Sequence, residues 1–491
     1  MGNKKIEISD KQGVYTLIAA CKEFGIRDVI ICPGSRNAPI TISFNRSGFF
    51  ECYSLADERS AAFYALGMSL ASNRPVALVC TSGSAVANFA PAMAEAYYLR
   101  VPLIAITADR PLAWTDQGNG QTIRQTGIFE NFSVNGFSLI SEPQSRDDIW
   151  LNRRMLSQCF NDALHRKKGP VHINVPLAEP LYGTQTYPAD LKTVFYKSVK
   201  PTATLSAENE DHYAKKISAA KKVMILPGQG MPNEVVNAIL EKWAELPNTV
   251  ILTETTSNTA VSKAVDTIDR LVMPVKDDAV FEDIMPDILI SFGGYVVSKK
   301  IKALLREFQV TEHWHLNEYD SGLDTFQNLT DEILVNPVHF LQRVIQKVEK
   351  PTGTYRDIWQ NLKSESQKAH DEYISTIAYS DFMAFREVLE QIPGTSNLHM
   401  ANSTPVRYVQ LFGHQKTLNY FGNRGTSGID GCTSTAAGFA IKTPKEQNVL
   451  VTGDTAFLYD SNAFWNRKFP ENLKVIVINN SGGGIFRIIP G

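Results

Sequence analysis

The stretch that decides the fold is residues 75–111, PVALVCTSGSAVANFAPAMAEAYYLRVPLIAITADRP. The apolar run PVALVC ends in the turn TSGS, a helix pattern follows over AVANFAPAMAEAYYLR, and a second apolar run, VPLIAIT, ends in ADRP. Two short apolar strands joined by a helix are typical of a parallel sheet that is covered on both faces. This stretch therefore predicts an α/β fold.

The same alternation recurs along the whole chain. We predict an α/β protein of three successive doubly wound parallel-sheet domains, at residues 1–185, 200–345 and 380–491. A Pro- and Thr-rich stretch near residues 183–205 is interpreted as a linker. The predicted strands of the second and third domains are KKVMILPG, NTVILTET, DILISFGG, HWHLNEYD, TSNLHMANS, TLNYFGNRG, NVLVTGD and LKVIVINN.

Composition and charge narrow the function. The 491 residues are 43% hydrophobic and 20% charged with a net charge of −2, which is ordinary for a globular protein and provides no basic field for nucleic acid or an anionic membrane. The six cysteines show no CxxC spacing and are expected to be buried free thiols. No uninterrupted apolar run reaches about 18 residues, so we expect a cytoplasmic protein without membrane insertion, whose partners are small molecules.

Polar residues gather where predicted strands lead into helices, which is where open parallel sheets bind ligands. Asp454 follows the strand NVLVTG, and Asn480 follows the next strand, so both are expected at one edge of the sheet. Carboxylate and carboxamide oxygens suit a hard divalent cation. A helix cap at Asp454 and a turn at Asn480 would explain the two residues equally well, and the pattern alone leaves both interpretations open.

The spacing of Gly-Asp and Asn-Asn over residues 453–480 resembles the cation and diphosphate signature of thiamine diphosphate enzymes. The resemblance implies thiamine diphosphate and a divalent cation, Mg²⁺ or Mn²⁺, held by Asp454, the side chain of Asn480 and the main-chain carbonyl of Gly482. Thr455 stands where the family more often has Gly.

The family also requires a glutamate that hydrogen-bonds the aminopyrimidine of the cofactor, and the resemblance assigns this catalytic role to Glu58 in DERSAAFYALGMS. That carboxylate would help to deprotonate the thiazolium carbon. Taken alone, an acidic residue in the first turn of a helix is more often a partner for the helix dipole.

A wider set of motifs narrows the resemblance to the thiamine diphosphate-dependent synthases that act on 2-oxoglutarate and isochorismate in menaquinone biosynthesis. The motifs are ICPGSRNAPI, TSGSAVANFAPAMAEAYYLRVPLIAITADRP, GNGQTIRQTGIF, NRGTSGIDGCTSTAAGFA, GDTAFLYD and INNSGGGIF. The implied reaction is decarboxylation of 2-oxoglutarate and conjugate addition of the remaining succinyl unit to isochorismate. Both substrates are dicarboxylates, which explains the need for placed cations in a chain of net charge −2.

The resemblance also implies the remaining site residues. Cofactor-binding positions are Glu58, Gln121, Ser403, Ser427, Gly428, Ile429, Asp454, Thr455 and Asn480. Substrate-binding positions are Ser35, Arg36, Arg110, Gln121, Lys299, Ser403, Arg407, Arg424, Ile485 and Phe486. The resemblance further implies that the first domain binds the aminopyrimidine, that the third binds the diphosphate, and that the protein forms at least a homodimer and usually a homotetramer.

Two alternatives remain open at this point. One is a different thiamine diphosphate-dependent lyase or synthase for another 2-oxo acid, and the other is a relative that keeps the fold without turning over. The second is kept because the third domain is expected to be incomplete after Gly482, with little activity and no bound cofactor as the result.

Overall fold

A computed structural model describes residues 5–188, 194–275, 278–308, 310–319 and 322–483. The strands up to residue 188 are β1 (Lys5–Ser9), β2 (Asp28–Ile31), β3 (Glu51–Ser54), β4 (Val76–Cys80), β5 (Leu103–Asp109), β6 (Asn135–Ser138), β7 (Val171–Pro176) and β8 (Thr184–Pro188). The helices are α1 (Gln12–Glu23), α2 (Ala38–Arg46), α3 (Glu58–Ser72), α4 (Ser84–Ala87), α5 (Ala90–Tyr98) and α6 (Arg146–Asn161).

The middle of the chain contains a second set of alternating elements. Its strands are β9 (Val223–Pro227), β10 (Thr249–Ile251), β11 (Ile288–Phe292), β12 (Glu312–Leu316) and β13 (Leu329–Ile333). Its helices are α7 (Ala207–Ala219), α8 (Glu234–Ala244), α9 (Ile268–Val272), α10 (Asp278–Ile284), α11 (Lys299–Glu307), α12 (Pro337–Ile345) and α13 (Tyr355–Thr376).

The last part of the chain adds further strands and helices. The strands are β14 (Asn397–Met400), β15 (Asn419–Phe421), β16 (Asn448–Gly453) and β17 (Leu473–Ile478). The helices are α14 (Asp381–Gln391), α15 (Thr404–Leu411), α16 (Cys432–Lys442) and α17 (Asp454–Tyr459). Together these segments confirm the predicted α/β class with several parallel sheets.

The first sheet has the strand order β3-β2-β4-β5-β7-β6 among the described residues, and every pairing in it is parallel. From β2 the chain moves outward to β3 on one side and then returns to form β4 on the other. The carboxyl ends of β2 and β4 therefore flank the point where the strand order reverses, which is where doubly wound sheets bind ligands. The apolar core of this sheet includes Leu17, Val79, Ile106 and Phe160.

The second sheet has the order β10-β9-β11-β12-β13 and is also parallel throughout. Successive residues of β9 enter different cores, because Val223 packs with the residues of α8 and α12 whereas Met224 packs with those of α9 and α13. Alternate side chains of a strand point to opposite faces, so both faces of this sheet are covered by helices.

The chain divides into two compact units, Met1–Lys200 with Gly425–Val477 and Pro201–Arg424 with Ile478–Gly491. The first contains the six-stranded sheet, and β17 lies beside β16. The second contains the five-stranded sheet and the parallel pair β14–β15. The division into three domains at 1–185, 200–345 and 380–491 stays a prediction.

Two local predictions are wrong, and not every strand was predicted. The helix expected over residues 85–100 is interrupted between α4 and α5, since Pro91 has no N–H to continue the helical ladder. Residues 184–188 of the predicted linker form β8, which pairs with β1 in antiparallel register from Lys5 opposite Pro188. The fifth strand of the second sheet, β13, was not predicted.

The cysteines agree with the expected buried thiols. They form no disulfide within the described residues, and all are buried except the half-buried Cys52.

Candidate active site

Glu58 lies at the first residue of α3, as predicted, and is half-buried. The preceding Asp57 caps the helix by accepting a hydrogen bond from the Ser60 N–H at 2.9 Å. Burial raises the pKa of the Cys32 and Cys80 thiols, and the nearby charge of Glu58 raises it further. Because these cysteines lie at the carboxyl ends of β2 and β4, Glu58 faces the point where the strand order reverses.

The loops after β2 and β4 meet closely at this point. A Cβ on Gly34 would lie 2.3 Å from the Thr81 Cβ, so only glycine allows this approach. Within the described residues, the buried Asn37 Oδ1 and Thr81 Oγ1 have no hydrogen-bond partner. Buried polar atoms are rarely left without partners, so these two atoms fit a site that receives a polar ligand.

The predicted substrate residues Ser35 and Arg36 lie in the loop after β2. Ser35 is exposed, whereas Arg36 is buried to 6% exposure. The Arg36 guanidinium donates to the Leu177 carbonyl at 3.0 Å and to the Glu179 carboxylate at 3.0 Å. Arg36 thus joins the loop after β2 to the segment after β7, and its predicted contact with substrate stays a prediction.

Arg110 and Gln121 belong to the segment after β5. Arg110 Nε donates to the Gly120 carbonyl at 3.1 Å. The backbone of Gln121 has a left-handed φ of 54° and accepts a hydrogen bond from Ser82 Oγ at 2.8 Å, while its side chain is exposed. A Cβ on Gly83 would lie 3.0 Å from this backbone, so the loops after β4 and β5 are packed main chain against main chain.

A buried polar network behind this edge was not predicted. Gln125 accepts from the Gly83 N–H at 2.9 Å and donates to Asn174 at 3.0 Å, and Asn174 donates to Asp109 at 2.9 Å. Burial raises the pKa of Asp109, and the hydrogen bond from Asn174 acts in the opposite direction. The network fixes the ends of β5 and β7 relative to the loop after β4.

Glu95, on α5, holds the loop that contains three predicted cofactor residues. Its buried carboxylate accepts from the Gly425 N–H at 2.7 Å and from both the N–H and the Oγ1 of Thr426 at 2.6 Å. The predicted residues follow directly. They are Ser427, which is exposed with φ 62°, Gly428, and the half-buried Ile429.

Asp454 and Thr455 lie at the carboxyl end of β16, as the strand pattern predicted. Asp454 is the first residue of α17, and its Oδ1 accepts from the Thr455 N–H at 2.6 Å and from Thr455 Oγ1 at 3.2 Å. The half-buried Asp454 carboxylate and the Thr455 hydroxyl therefore lie together at the carboxyl end of β16, where oxygen atoms can bind a cation.

In the second unit, Ser403 immediately precedes α15, and Arg407 lies in the first turn of that helix. Ser403 has φ 75°, a left-handed conformation that is uncommon for serine and is often found at functional sites. The Arg407 Nη1 is buried without a hydrogen-bond partner among the described residues. A buried guanidinium nitrogen of this kind suits a carboxylate ligand.

Lys299 and Arg424 are connected through Glu254. Glu254 is 2% exposed and accepts from the Val297 and Ser298 N–H groups, at 2.7 and 2.6 Å, immediately before Lys299 at the start of α11. Burial raises the pKa of Glu254 to about 7, and the two N–H donors and the nearby charge of Arg424 act in the opposite direction. Arg424 itself donates to Asn402 Oδ1 at 2.6 Å.

Asn480 and Gly482 lie in the turn after β17. The Asn480 Nδ2 donates to Asp381 Oδ2 at 2.8 Å, while the buried Asn480 Oδ1 has no hydrogen-bond partner among the described residues. Ser481, Gly482 and Gly483 all have positive φ, at 64°, 119° and 61°. The Asn480 oxygen is thus available to a ligand such as a divalent cation.

Comparison of the chain with known proteins identifies its family. Residues 11–128 match the family described as "Thiamine pyrophosphate enzyme, N-terminal TPP binding domain". A protein of Flavobacterium johnsoniae named 2-succinyl-5-enolpyruvyl-6-hydroxy-3-cyclohexene-1-carboxylate synthase is 43% identical, over 97% of this chain and 84% of the relative. The chain belongs to this synthase family. Synthases of the same name from Flavobacterium psychrophilum and Porphyromonas gingivalis are 43% and 42% identical, over 97% and 99% of the chain and 84% and 85% of their own lengths.

The synthase family is thiamine diphosphate-dependent, so the resemblance found in the sequence is confirmed, as is thiamine diphosphate as the cofactor. The alternative of a lyase for another 2-oxo acid has no support in these relatives.

Some predictions about the synthase site are not tested by the structure. Ile485 and Phe486 lie outside the described residues. Asp454 and Thr455 belong to one unit and Asn480 and Gly482 to the other, and the cation site that they would form stays a prediction. No cluster of three or more His, Cys, Asp or Glu side chains able to hold a metal occurs in the described ranges. The predicted cation site differs from such a cluster, because its ligands are one carboxylate, one carboxamide oxygen and one main-chain carbonyl.

The length and polarity of the helices bear on membrane association. Within the ranges that the structure describes, none of the helices is long and apolar enough to cross a membrane.

Proposed function

We propose that this chain catalyses the thiamine diphosphate-dependent decarboxylation of 2-oxoglutarate and joins the remaining succinyl unit to isochorismate. The products are 2-succinyl-5-enolpyruvyl-6-hydroxy-3-cyclohexene-1-carboxylate and CO₂, in menaquinone biosynthesis. The observation that carries the proposal is identity of 43% over 97% of the chain to a synthase of this name. The position of Glu58 at the reversal of the strand order supports it.

Glu58 is assigned the catalytic role. Its carboxylate would hydrogen-bond the aminopyrimidine and assist proton removal from the reacting carbon. When bound, thiamine diphosphate supplies the carbon nucleophile and the electron sink that decarboxylation of a 2-oxo acid requires. Asn37 Oδ1 and Thr81 Oγ1, in the loops after β2 and β4, have no hydrogen-bond partner among the described residues and are compatible with a polar ligand at this edge.

Asp454, Asn480 and the Gly482 carbonyl are assigned to a divalent cation, Mg²⁺ or Mn²⁺, that anchors the diphosphate. The donor set is one carboxylate with two neutral oxygens, which suits a hard cation that also binds phosphate oxygens. The Asn480 Oδ1, which has no hydrogen-bond partner within the part of the chain that the structure describes, fits this role. The further cofactor contacts are assigned to Gln121, Ser403, Ser427, Gly428, Ile429 and Thr455.

The carboxylates of the two substrates are assigned to the cations and hydroxyls around the site. Arg407 is the best supported of these, because it has a buried guanidinium nitrogen without a partner among the described residues. Arg36 is the least accessible, since Glu179 and the Leu177 carbonyl already engage it. The other members of the set are Ser35, Arg110, Gln121, Lys299, Ser403 and Arg424.

We further propose that the protein acts as at least a homodimer, and as a homotetramer in its usual form, in the cytoplasm. Sedimentation velocity of the full chain with and without cofactor tests the oligomeric state, and a monomer under both conditions would contradict it.

The test of the reaction is to incubate the chain with thiamine diphosphate, Mg²⁺, 2-oxoglutarate and isochorismate and to follow the product by mass spectrometry. We expect the succinylated product and an equal amount of CO₂. Reactions lacking isochorismate or containing pyruvate in place of 2-oxoglutarate serve as controls. Turnover of pyruvate without the succinylated product would overturn the proposal.

A further inference from the structure

The side chain of Asn480 is held in one orientation by a residue that no motif includes. Asp381, the first residue of α14, accepts from Asn480 Nδ2 at 2.8 Å. The other end of the same amide, Oδ1, is buried and has no hydrogen-bond partner among the described residues. The amide therefore has its donor satisfied and its acceptor open.

The chemistry of Asp381 determines which end of the amide is open. An ionised carboxylate can only accept hydrogen bonds, so it pairs with the NH₂ group and excludes the carbonyl oxygen from its side. A divalent cation binds the oxygen of an amide and not its NH₂ group. Partners that orient a metal ligand in this way commonly strengthen metal binding without touching the metal.

We propose that Asp381 is a positioning residue that presents Asn480 Oδ1 to the divalent cation of the diphosphate site. This inference rests on the proposed function, in which Asn480 is a cation ligand. Asp381 also lies in the first turn of α14, where a carboxylate stabilises a helix through its dipole, and the test must separate the two roles.

The test measures Mn²⁺ binding to the full chain in the presence of thiamine diphosphate, by electron paramagnetic resonance of free Mn²⁺, beside the melting temperature. We expect D381A to weaken Mn²⁺ binding by about 10-fold to 100-fold, the range for lost outer partners of metal ligands. D381N is expected to weaken it less, because an amide at position 381 allows both orientations of Asn480. A role confined to the helix dipole would lower the melting temperature and leave Mn²⁺ affinity unchanged.

The matched control is D371N on α13, because Asp371 also accepts a hydrogen bond from a side-chain amide, that of Gln367 at 2.7 Å. We expect the D371N variant to bind Mn²⁺ with the affinity of the wild type. The double variant D381N/N480D reverses the pair, since the amide at 381 then donates to a carboxylate at 480. We expect it to regain most of the affinity that D381N loses.

The outcomes separate the two proposals. If the wild type binds Mn²⁺ and both D381A and D381N bind it with the same affinity, the proposed role of Asp381 is overturned and the proposed cation site is not. Failure of the wild type to bind Mn²⁺ with thiamine diphosphate would overturn the proposed cation site, and this inference with it.

Discussion

Glu58 is half-buried at the start of α3, whereas Glu254 is 2% exposed in the second unit. Burial raises the pKa of Glu254 to about 7, so this carboxyl group changes its charge near neutral pH. When ionised, it accepts from the two N–H groups before Lys299 and provides a negative charge beside Arg424. Glu254 therefore has the contacts of a residue that supports other groups, while Glu58 faces the edge of the sheet where a ligand can reach it.

Replacement of Glu58 tests its proposed catalytic role. We expect E58Q to lower kcat by about 100-fold to 10,000-fold, because a carboxamide cannot accept or deliver the proton that general acid–base catalysis moves. Thiamine diphosphate affinity, measured by quenching of tryptophan fluorescence, should change much less. The control is D147N, which removes a first-turn carboxylate from α6 and should leave kcat unchanged. Wild-type turnover by E58Q would contradict the assignment.

The positions of some candidate site residues in the fold could be predicted from the sequence, and the partners that support them could not. Glu58 and Asp454 each begin a helix after a strand, and the strand-to-helix pattern reveals such positions, whereas Lys299 was assigned only by the family resemblance. Glu95 contacts Gly425, 330 residues along the chain, and Asp381 contacts Asn480, 99 residues along the chain. No local pattern encodes such pairs, because each partner alone looks like an ordinary helix-surface carboxylate.

At the scale of elements, α3 and α16 pack unusually closely within the first unit. A Cβ on Gly67 would lie 1.9 Å from the Thr435 carbonyl oxygen, and one on Gly438 would lie 2.0 Å from that of Tyr64. Asp460 joins the two helices, because its fully buried carboxylate accepts from the N–H and Oγ of Ser434, both at 2.7 Å. It also accepts from Ser60 Oγ at 3.4 Å.

The buried Asp460 carboxyl group predicts that the stability of the folded protein depends on pH. Burial raises the pKa of Asp460 from 3.8 to about 6, so the folded state holds this proton more tightly than the unfolded state does. The resulting stabilisation is complete below about pH 4 and is lost as the pH rises to about 6, by on the order of 3 kcal/mol. We expect the melting temperature of the wild type, relative to that of D460N, to fall across this range in calorimetric scans. A constant difference between the two proteins would contradict the prediction.

The elements that the sequence predicted best are those with a strong apolar pattern and a clear end. The pattern of β4, β5, β9 and β11 marks strands that are buried on both faces, and Gly25, with φ 75°, lies just beyond the end of α1. β1 and β13 were missed because KIEIS and LTDEI are half polar and form strands by pairing with β8 and β12. Pairing between distant segments is a tertiary effect that local propensity does not report.

At the scale of the whole molecule, cofactor binding should increase the free energy of unfolding. Thiamine diphosphate with Mg²⁺, at about 100 times the Kd of the cofactor, should stabilise the folded chain by about 2.7 kcal/mol and raise the apparent melting temperature by about 3 to 5 °C. EDTA should reverse the shift, because in the proposed site the cation would join the diphosphate to its protein ligands. Thiamine without the diphosphate is the control and should produce little shift. A shift of equal size with EDTA present would contradict a cation-dependent site.

The strand order of the five-stranded sheet also reverses, between β9 and β11, where a doubly wound sheet often binds a nucleotide. In this sheet, the main chains of two turns, GQG at residues 228–230 and FGG at residues 292–294, lie against each other at that position. The Gly228 N–H donates to the Phe292 carbonyl at 2.8 Å, and the Gly294 N–H donates to the Gln229 carbonyl at 2.7 Å. A Cβ on Gly228 would lie 1.9 Å from the Gly294 carbonyl oxygen. To place a dinucleotide between these strand ends, an engineer would have to rebuild both turns with longer loops, because their main chains are already hydrogen-bonded to each other.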